Sequence, residues 1–88
     1  MLSRDEIPGR VSEIMGGHFA RWLPREEVFM YFDGAERALE VFDVPLKDRR
    51  PLLYKLEPER KELHAAAGGP IVILFMSSDE TVPSRRDK

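Results

Sequence analysis

The chain of 88 residues contains no cysteine. Without cysteine there are no disulfides, no thiol nucleophile and no thiolate zinc site, and a small secreted scaffold held by bridges is disfavoured. A long hydrophobic run is also missing, because the longest apolar stretch covers only residues 70–76 and a membrane-spanning helix needs about 18 residues. The first eleven residues carry alternating charges where a signal peptide needs an apolar core. We therefore expect a cytoplasmic protein with no membrane segment.

Neither sign of charge is in large excess, since 14 basic and 16 acidic side chains give a formal net charge of −2. The electrostatic field of so small a net charge gives no reason to expect a nucleic acid or an anionic membrane as a partner. A hydrophobic fraction of 42% and a charged fraction of 34% are typical of a globular protein. We expect a single domain over residues 1–76 and a flexible C-terminal tail over residues 77–88, where apolar periodicity is lost.

The first predicted element is an amphipathic helix. Ser3 and Glu6 have the spacing of a capping box at its start. Apolar residues then recur at helical spacing before Pro24, namely Ile7, Val11, Ile14, Met15, Phe19 and Trp22. Gly16 and Gly17 lie inside this pattern, each costing about 1 kcal/mol relative to alanine. The helix therefore either breaks there or is held by packing, and we favour a bend or a close approach.

Two strands are predicted next. Residues 28–32, with the sequence VFMYF, favour a strand. Asp33-Gly34 between two apolar runs is a hairpin signal, although Asp33 and Glu36 also have capping-box spacing and the apolar residues that follow share one helical face. Because LEVFDVP is rich in β-branched and aromatic residues and ends at a proline, we favour the hairpin. A helix stays open as the alternative for residues 34–42.

Prolines delimit the next helical region. Residues 45–50 form a polar, basic connection, after which Pro51 can occupy the first position of a helix. Pro58 lacks the backbone donor that the helix would need and crowds the preceding turn. We therefore predict either a kinked helix or two short helices, over residues 51–56 and 58–67.

The apolar run Ile71–Met76 predicts the last strand. Gly68-Gly69 supplies the left-handed residue that closes the preceding helix, and Pro70 prevents its continuation. The run does not alternate, which indicates burial on both faces and hence a central strand. Because a helix precedes it, this strand can lie parallel to the second one. The predicted fold is a small α+β domain of order α-β-β-α(kinked or split)-β, with helices packed on a three-stranded mixed sheet.

The predicted sheet has too few helices to cover both faces. Soluble monomers rarely expose a large apolar face, so we expect a homodimer, or another protein partner, that covers the sheet near its last strand. The predicted interface consists of aliphatic and aromatic side chains: Ile71, Ile73, Phe75, Phe29 and Tyr31. A monomer whose two helical regions cover opposite faces remains the alternative.

No motif indicates an enzyme, a cofactor or a metal, and we expect a non-catalytic binding protein. The glycine pairs do not lie between a strand and a helix, as phosphate-binding loops do. His18 and His64 lack metal-ligand spacing, and the place of His64 in a last helical turn suits its charged form, which the helix dipole would favour. Asp33 and Asp43, on neighbouring strands of the predicted hairpin, form an alternative carboxylate site of an enzyme.

The basic stretch over residues 47–61 gives the second alternative, a small nucleic-acid-binding protein. The segment PLKDRRPLLYKLEPERK combines six basic residues with Tyr54. The side chains that would contact phosphates are Lys47, Arg49, Arg50 and Lys55. The predicted element order resembles that of type II KH and BolA-like domains, and the KH resemblance implies nucleic-acid binding. The Gly-x-x-Gly loop of KH domains is absent. The alternative without a binding function is that the stretch forms a solvent-exposed helix face whose charge neighbouring glutamates compensate.

Overall fold

The computed structural model describes residues 2–32 and 34–78, without the side chain of Tyr31. After a 3₁₀ turn at Arg4–Glu6, its regular elements are α1 (Ile7–Ile14), β1 (Ala20–Trp22), α2 (Arg25–Tyr31), β2 (Ala38–Phe42), α3 (Leu46–Leu56), α4 (Arg60–Ala67) and β3 (Val72–Met76). The predicted α+β fold of order α-β-β-α-β is confirmed, with α3 and α4 forming the split helix and α2 as a short addition between the first two strands. None of the helices in these two ranges has the length and apolarity that a membrane crossing requires.

The three strands lie in the order β1-β2-β3. β1 pairs antiparallel with β2, where Trp22 lies opposite Leu39, and β2 pairs parallel with β3, where Ala38 lies opposite Val72. The chain passes from β2 to β3 through α3 and α4, so the predicted parallel pairing is confirmed. The prediction that the last strand is central is wrong, because β2 occupies the centre and β3 an edge. An apolar run indicates what covers the two faces of a strand, and it carries no information on its neighbours within the sheet.

One face of the sheet carries the larger core. Ile7, Val11 and Met15, spaced four residues apart along α1 and its C-terminal cap, are fully buried against it. Further members of this cluster come from the strands, α3 and α4: Ala20, Leu39, Val41, Leu56, Leu63, Ile73 and Phe75. We call this side of the sheet, covered by α1, α3 and α4, the first face.

The second face has a smaller cover. Side chains alternate along β2, so Ala38 points away from the first face and packs with Leu23 and Val28 in a separate cluster. Val28 comes from α2, which has only seven residues and covers the part of this face near Ala38. Towards the other end of β2, Phe42 is half-buried and contacts the exposed Phe19, with ring centroids 5.7 Å apart. The second face is therefore covered less completely than the first.

Two glycines end α1 earlier than the periodicity predicts. Gly16 has φ 81° and Gly17 has φ 93°, in the left-handed region that favours glycine. The Gly17 N–H donates a hydrogen bond to the Ser12 carbonyl at 2.8 Å, which closes the helix. The predicted continuation to Trp22 is therefore wrong, and the chain beyond the glycines extends to form β1.

Residues 28–32, predicted as a strand, fall largely within α2. Pro24 precedes this helix and acidic residues occupy its first turn, where the helix dipole favours them. The hairpin is therefore wrong for its first strand, and Asp33 lies outside the described residues. For residues 34–42 the structure decides between strand and helix, since β2 occupies Ala38–Phe42.

The region after β2 is split into two helices as predicted, with a different start. α3 begins at Leu46 and holds Pro51 in its interior, at the cost of one backbone hydrogen bond, whereas Pro51 was expected to start the helix. A 3₁₀ turn that contains Pro58 separates α3 from α4. Gly68, with φ 88°, closes α4 as predicted.

The segment predicted as a tail begins at Ser77. Ser77 is half-buried, and Ser78 bonds to Asp43 in the loop after β2. Residues 79–88 lie outside the described residues.

Candidate functional site

β3 is an edge strand made only of apolar residues. Each side chain from Val72 to Met76 is half-buried. One side of the strand pairs with β2, and among the described residues no strand pairs with its other side. We call this unpaired side of Val72–Met76 the outer edge.

The hydrogen-bond register shows which backbone groups lie along the outer edge. The Val72 N–H donates to the Arg37 carbonyl at 3.1 Å, and the Met76 carbonyl accepts from the Asp43 N–H at 2.7 Å. Backbone groups alternate in direction along a strand, so Val72, Leu74 and Met76 bond to β2. The N–H and C=O groups of Ile73 and Phe75 therefore point outwards. Such a row of groups is a template on which another strand can pair.

Residues that commonly protect an edge strand are absent from β3. Charged side chains, proline and bulges discourage edge pairing, and Val72–Met76 contains no charge or proline and pairs with β2 in continuous register. β1, at the opposite edge, has features that discourage edge pairing. It has only three residues, carries Arg21 at its centre and is followed by Pro24. Of the two edges, that of β3 is the better suited to association.

Side chains on both faces border the outer edge. Ile73 and Phe75 lie on the first face, within the contact range of the larger core. Arg49 of α3 holds its guanidinium carbon 5.3 Å from the ring centroid of Phe75, and its Nε donates to the Val44 carbonyl at 3.0 Å. Leu74 lies on the second face with the α2 cluster. A strand added at this edge would extend apolar contacts on both faces.

The predicted interface residues do not all lie together. Ile71, Ile73 and Phe75 belong to β3 or directly precede it, and they pack on the first face. Phe29 is 86% exposed on α2, which covers the second face. The side chain of Tyr31 is outside the described part of the structure. The outer edge therefore includes two of the predicted residues, Ile73 and Phe75, with Ile71 directly before it, and sequence reasoning missed Leu74 on the other face.

The basic residues of the nucleic-acid alternative are divided by their surroundings. Lys47, Arg50 and Lys55 are exposed on α3. Arg49 is half-buried and turned towards Val44 and Phe75, as described above. Three of the four side chains are thus available to solvent, and the fourth supports the packing of α3 on β3.

The carboxylates of the enzyme alternative give little basis for catalysis. The Asp43 carboxylate accepts hydrogen bonds from the Ser78 N–H and hydroxyl. These bonds lower the pKa of Asp43, with a further contribution from His18. Asp33 is not among the described residues. Within the described ranges, no group of three or more His, Cys, Asp or Glu side chains is arranged to hold a metal ion.

No protein-family model, curated protein or solved structure matches this chain.

Proposed function

We propose that the protein is a small, non-catalytic interaction domain of the cytoplasm that forms a homodimer through the outer edge of β3. The observation that carries the proposal is an unprotected strand of five apolar residues whose outward backbone groups have no pairing strand among the described residues. Addition of a strand to such an edge is a common mode of protein recognition, in which main-chain hydrogen bonds supply affinity and side chains supply specificity. The absence of cysteine supports a reducing compartment.

A second copy of the chain is the occupant that best fits this edge. Antiparallel pairing of β3 with itself satisfies a twofold axis, because the same surface then serves both partners. We place the axis beside Leu74, so that Ile73 lies opposite Phe75 of the second copy and Val72 lies opposite its Met76. In this register the outward N–H and C=O groups of Ile73 and Phe75 bond to one another across the axis.

Each cross-strand pair in this register joins two apolar side chains. Directly opposed apolar residues stabilise a strand pair by about 0.2 to 1 kcal/mol each relative to alanine, and no charge within β3 repels its copy. The two three-stranded sheets would become one continuous sheet. The less completely covered second faces would then lie side by side, with Leu74 next to Leu74 of the second copy.

An engineered disulfide tests the register directly, since the chain has no cysteine of its own. Opposed Cβ atoms of antiparallel strands approach to about 4.5–5.5 Å, close to the roughly 3.5–4.5 Å of a disulfide. Leu74→Cys should therefore form a covalent dimer rapidly under mild oxidation at low protein concentration. Tyr54→Cys, at a position 67% exposed on α3, is the control and should cross-link slowly.

Hydrogen exchange of the wild-type chain supplies a test without any substitution. The amides of Leu74 and Met76 bond to β2 and should be protected at every protein concentration. The amides of Ile73 and Phe75 should gain protection only as the concentration rises and dimers form. Sedimentation that shows a monomer at all concentrations, with these two amides exchanging at a constant rate, would contradict the proposal.

A further inference from the structure

A cleft lined by three arginines lies at the end of the sheet where β2 begins. It has a volume of about 330 Å³. Its polar lining consists of Arg4, Trp22, Arg25, Glu36 and Arg37. Three arginines and one glutamate line it, so the lining carries an excess of positive charge although the whole chain carries −2.

Arg4 and Trp22 hold each other in place on one side of the cleft. The guanidinium carbon of Arg4 lies 4.5 Å from the centroid of the Trp22 ring. The Trp22 Nε1–H donates to the Arg4 carbonyl at 3.2 Å. The cation–π contact and the hydrogen bond together restrict both side chains, so the Arg4 guanidinium is largely positioned before any ligand arrives.

Arg37 is positioned from the other side. Its side chain is 17% exposed. Its Nη1 donates to the Pro70 carbonyl at 3.2 Å and its Nη2 to Glu36 Oε1 at 3.0 Å. The Glu36 side chain is 70% exposed, so the second acceptor of this mostly buried guanidinium is a carboxylate at the surface.

Arg25 is the third cationic group and has a different environment. It is exposed at the start of α2. Among the described residues neither Arg25 nor Arg4 takes part in an ion pair with a carboxylate. The cleft thus holds two arginines whose charge no described carboxylate compensates, and a third that shares a surface glutamate.

We propose that this cleft binds a phosphate dianion, either free or as the monoester of a small molecule. A dianion matches the excess charge of three guanidinium groups over one carboxylate. Guanidinium forks suit the oxygens of phosphate, to which they can donate in pairs. The cleft belongs to a single chain, so binding does not depend on dimer formation and the two proposals can fail separately.

The single tryptophan of the chain lies in the cleft and reports on it. Inorganic phosphate and O-phosphoserine, titrated at fixed ionic strength with chloride as the balancing anion, should each change the fluorescence of Trp22 in a saturable way. Calorimetry of the same titrations gives a readout that does not depend on the indole. The tighter of the two ligands assigns the site to the free anion or to a monoester, and binding of O-phosphoserine should weaken below about pH 6, where the monoester takes up a proton.

Three substitutions distinguish a built site from general anion attraction. Arg25→Gln should weaken binding about tenfold or more, because it removes a charge-assisted hydrogen bond to the anion. Glu36→Gln should strengthen binding, because it removes the competing carboxylate from Arg37. Arg50→Gln, an exposed residue on α3, should leave the affinity unchanged.

Absence of saturable fluorescence or heat with either ligand would overturn the proposal. So would equal losses of affinity in Arg25→Gln and Arg50→Gln, because they would indicate that only the total charge matters. A destabilised fold would weaken binding, so it cannot explain a rise in affinity in Glu36→Gln. Circular dichroism of all three variants confirms that the comparison is made between folded chains.

Discussion

The Asp43 carboxylate accepts two hydrogen bonds from Ser78, one from the backbone N–H at 2.9 Å and one from the hydroxyl at 2.7 Å. Asp43 follows β2 and Ser78 follows β3, so the contact joins the carboxyl ends of two parallel strands. The Asp43 N–H also donates to the Met76 carbonyl at 2.7 Å. Asp43 has φ 62°, a conformation that few residues other than glycine, asparagine and aspartate adopt readily. The pair anchors the end of the edge strand that we propose as the dimer interface.

Acidification should weaken the stabilisation that the hydrogen bonds between Asp43 and Ser78 provide. The Ser78 hydrogen bonds lower the pKa of Asp43 from its ordinary value of 3.8, so the unfolded chain binds a proton more readily than the folded one. The stabilisation is complete above the ordinary pKa and is lost as the pH falls through the folded pKa. Urea unfolding at several acidic pH values should show a smaller loss of stability for Asp43→Asn than for the wild type. Ser78→Ala, which keeps the backbone donor, should be intermediate, and equal acid slopes in all three chains would contradict the assignment.

His64 should make the fold less stable on mild acidification. Burial lowers its pKa from 6.5, and Arg60 and Arg37 lower it further. His64 does lie in the last turn of α4, but these surroundings oppose the charged form that the helix dipole would favour. The unfolded chain gains a proton near pH 6.5 while the folded chain resists it, and stability therefore falls as the pH drops through that value. His64→Gln should remove this part of the pH dependence. In an NMR titration, Arg60→Gln should move the His64 pKa upwards, and a wild-type His64 pKa at or above 6.5 would disprove the explanation.

Alanine at two glycines should have opposite effects. Gly68 has φ 88°, and a Cβ added there would meet no atom within 4 Å, so only the backbone conformation opposes a side chain. Gly68→Ala should destabilise the fold by about 1–2 kcal/mol. Gly9 lies within α1 without positive φ and with equally open space, so Gly9→Ala should stabilise it by up to about 1 kcal/mol. Thermal unfolding of both variants checks the signs, and a destabilised Gly9→Ala would show that α1 is not helical there.

The stability of the fold should depend on the ion pair between the buried Glu40 carboxylate and Arg21. Glu40 is 3% exposed on the central strand, and its Oε1 accepts from the Arg21 Nε at 2.8 Å. Arg21→Met keeps an apolar stem but leaves the carboxylate without this partner, which should cost about 1–3 kcal/mol. Adding Glu40→Leu should recover much of that loss, because an apolar pair needs no compensation. Additive losses in the double variant, measured by urea unfolding, would show that the two residues do not interact.

Much of the local structure could be predicted because its causes lie within a few residues. The Ser3 N–H bonds to Glu6 Oε1 at 2.9 Å where the capping pattern indicated a helix start. Gly68 ends α4 because a left-handed residue is needed there, and Pro58 divides the helical region because it lacks a backbone donor. At Gly16 the prediction was wrong, because this glycine ends α1 where a bend was favoured.

The candidate sites were less accessible to prediction. Ile73 and Phe75 were identified as interface residues from their apolar run, but for a central strand, and their position at an edge follows only from the sheet order. Nothing in the sequence relates Arg4 to Arg25 and Arg37. These residues lie on three separate segments that meet at the end of the sheet.

The sequence by itself determined the fold class, the parallel crossover into the last strand, the start of the first helix and the ends of α3 and α4, because glycine, proline and capping residues act through their own backbone and its nearest turns. Tertiary structure decided that residues 20–22 form a strand and residues 25–31 a helix, that β2 is central, and that β3 lies at an edge. Hydrophobicity measures how strongly a segment avoids water. Which segment becomes its neighbour depends on hydrogen-bond partners and packing surfaces that are distant along the chain, and these exist only once the whole domain has assembled.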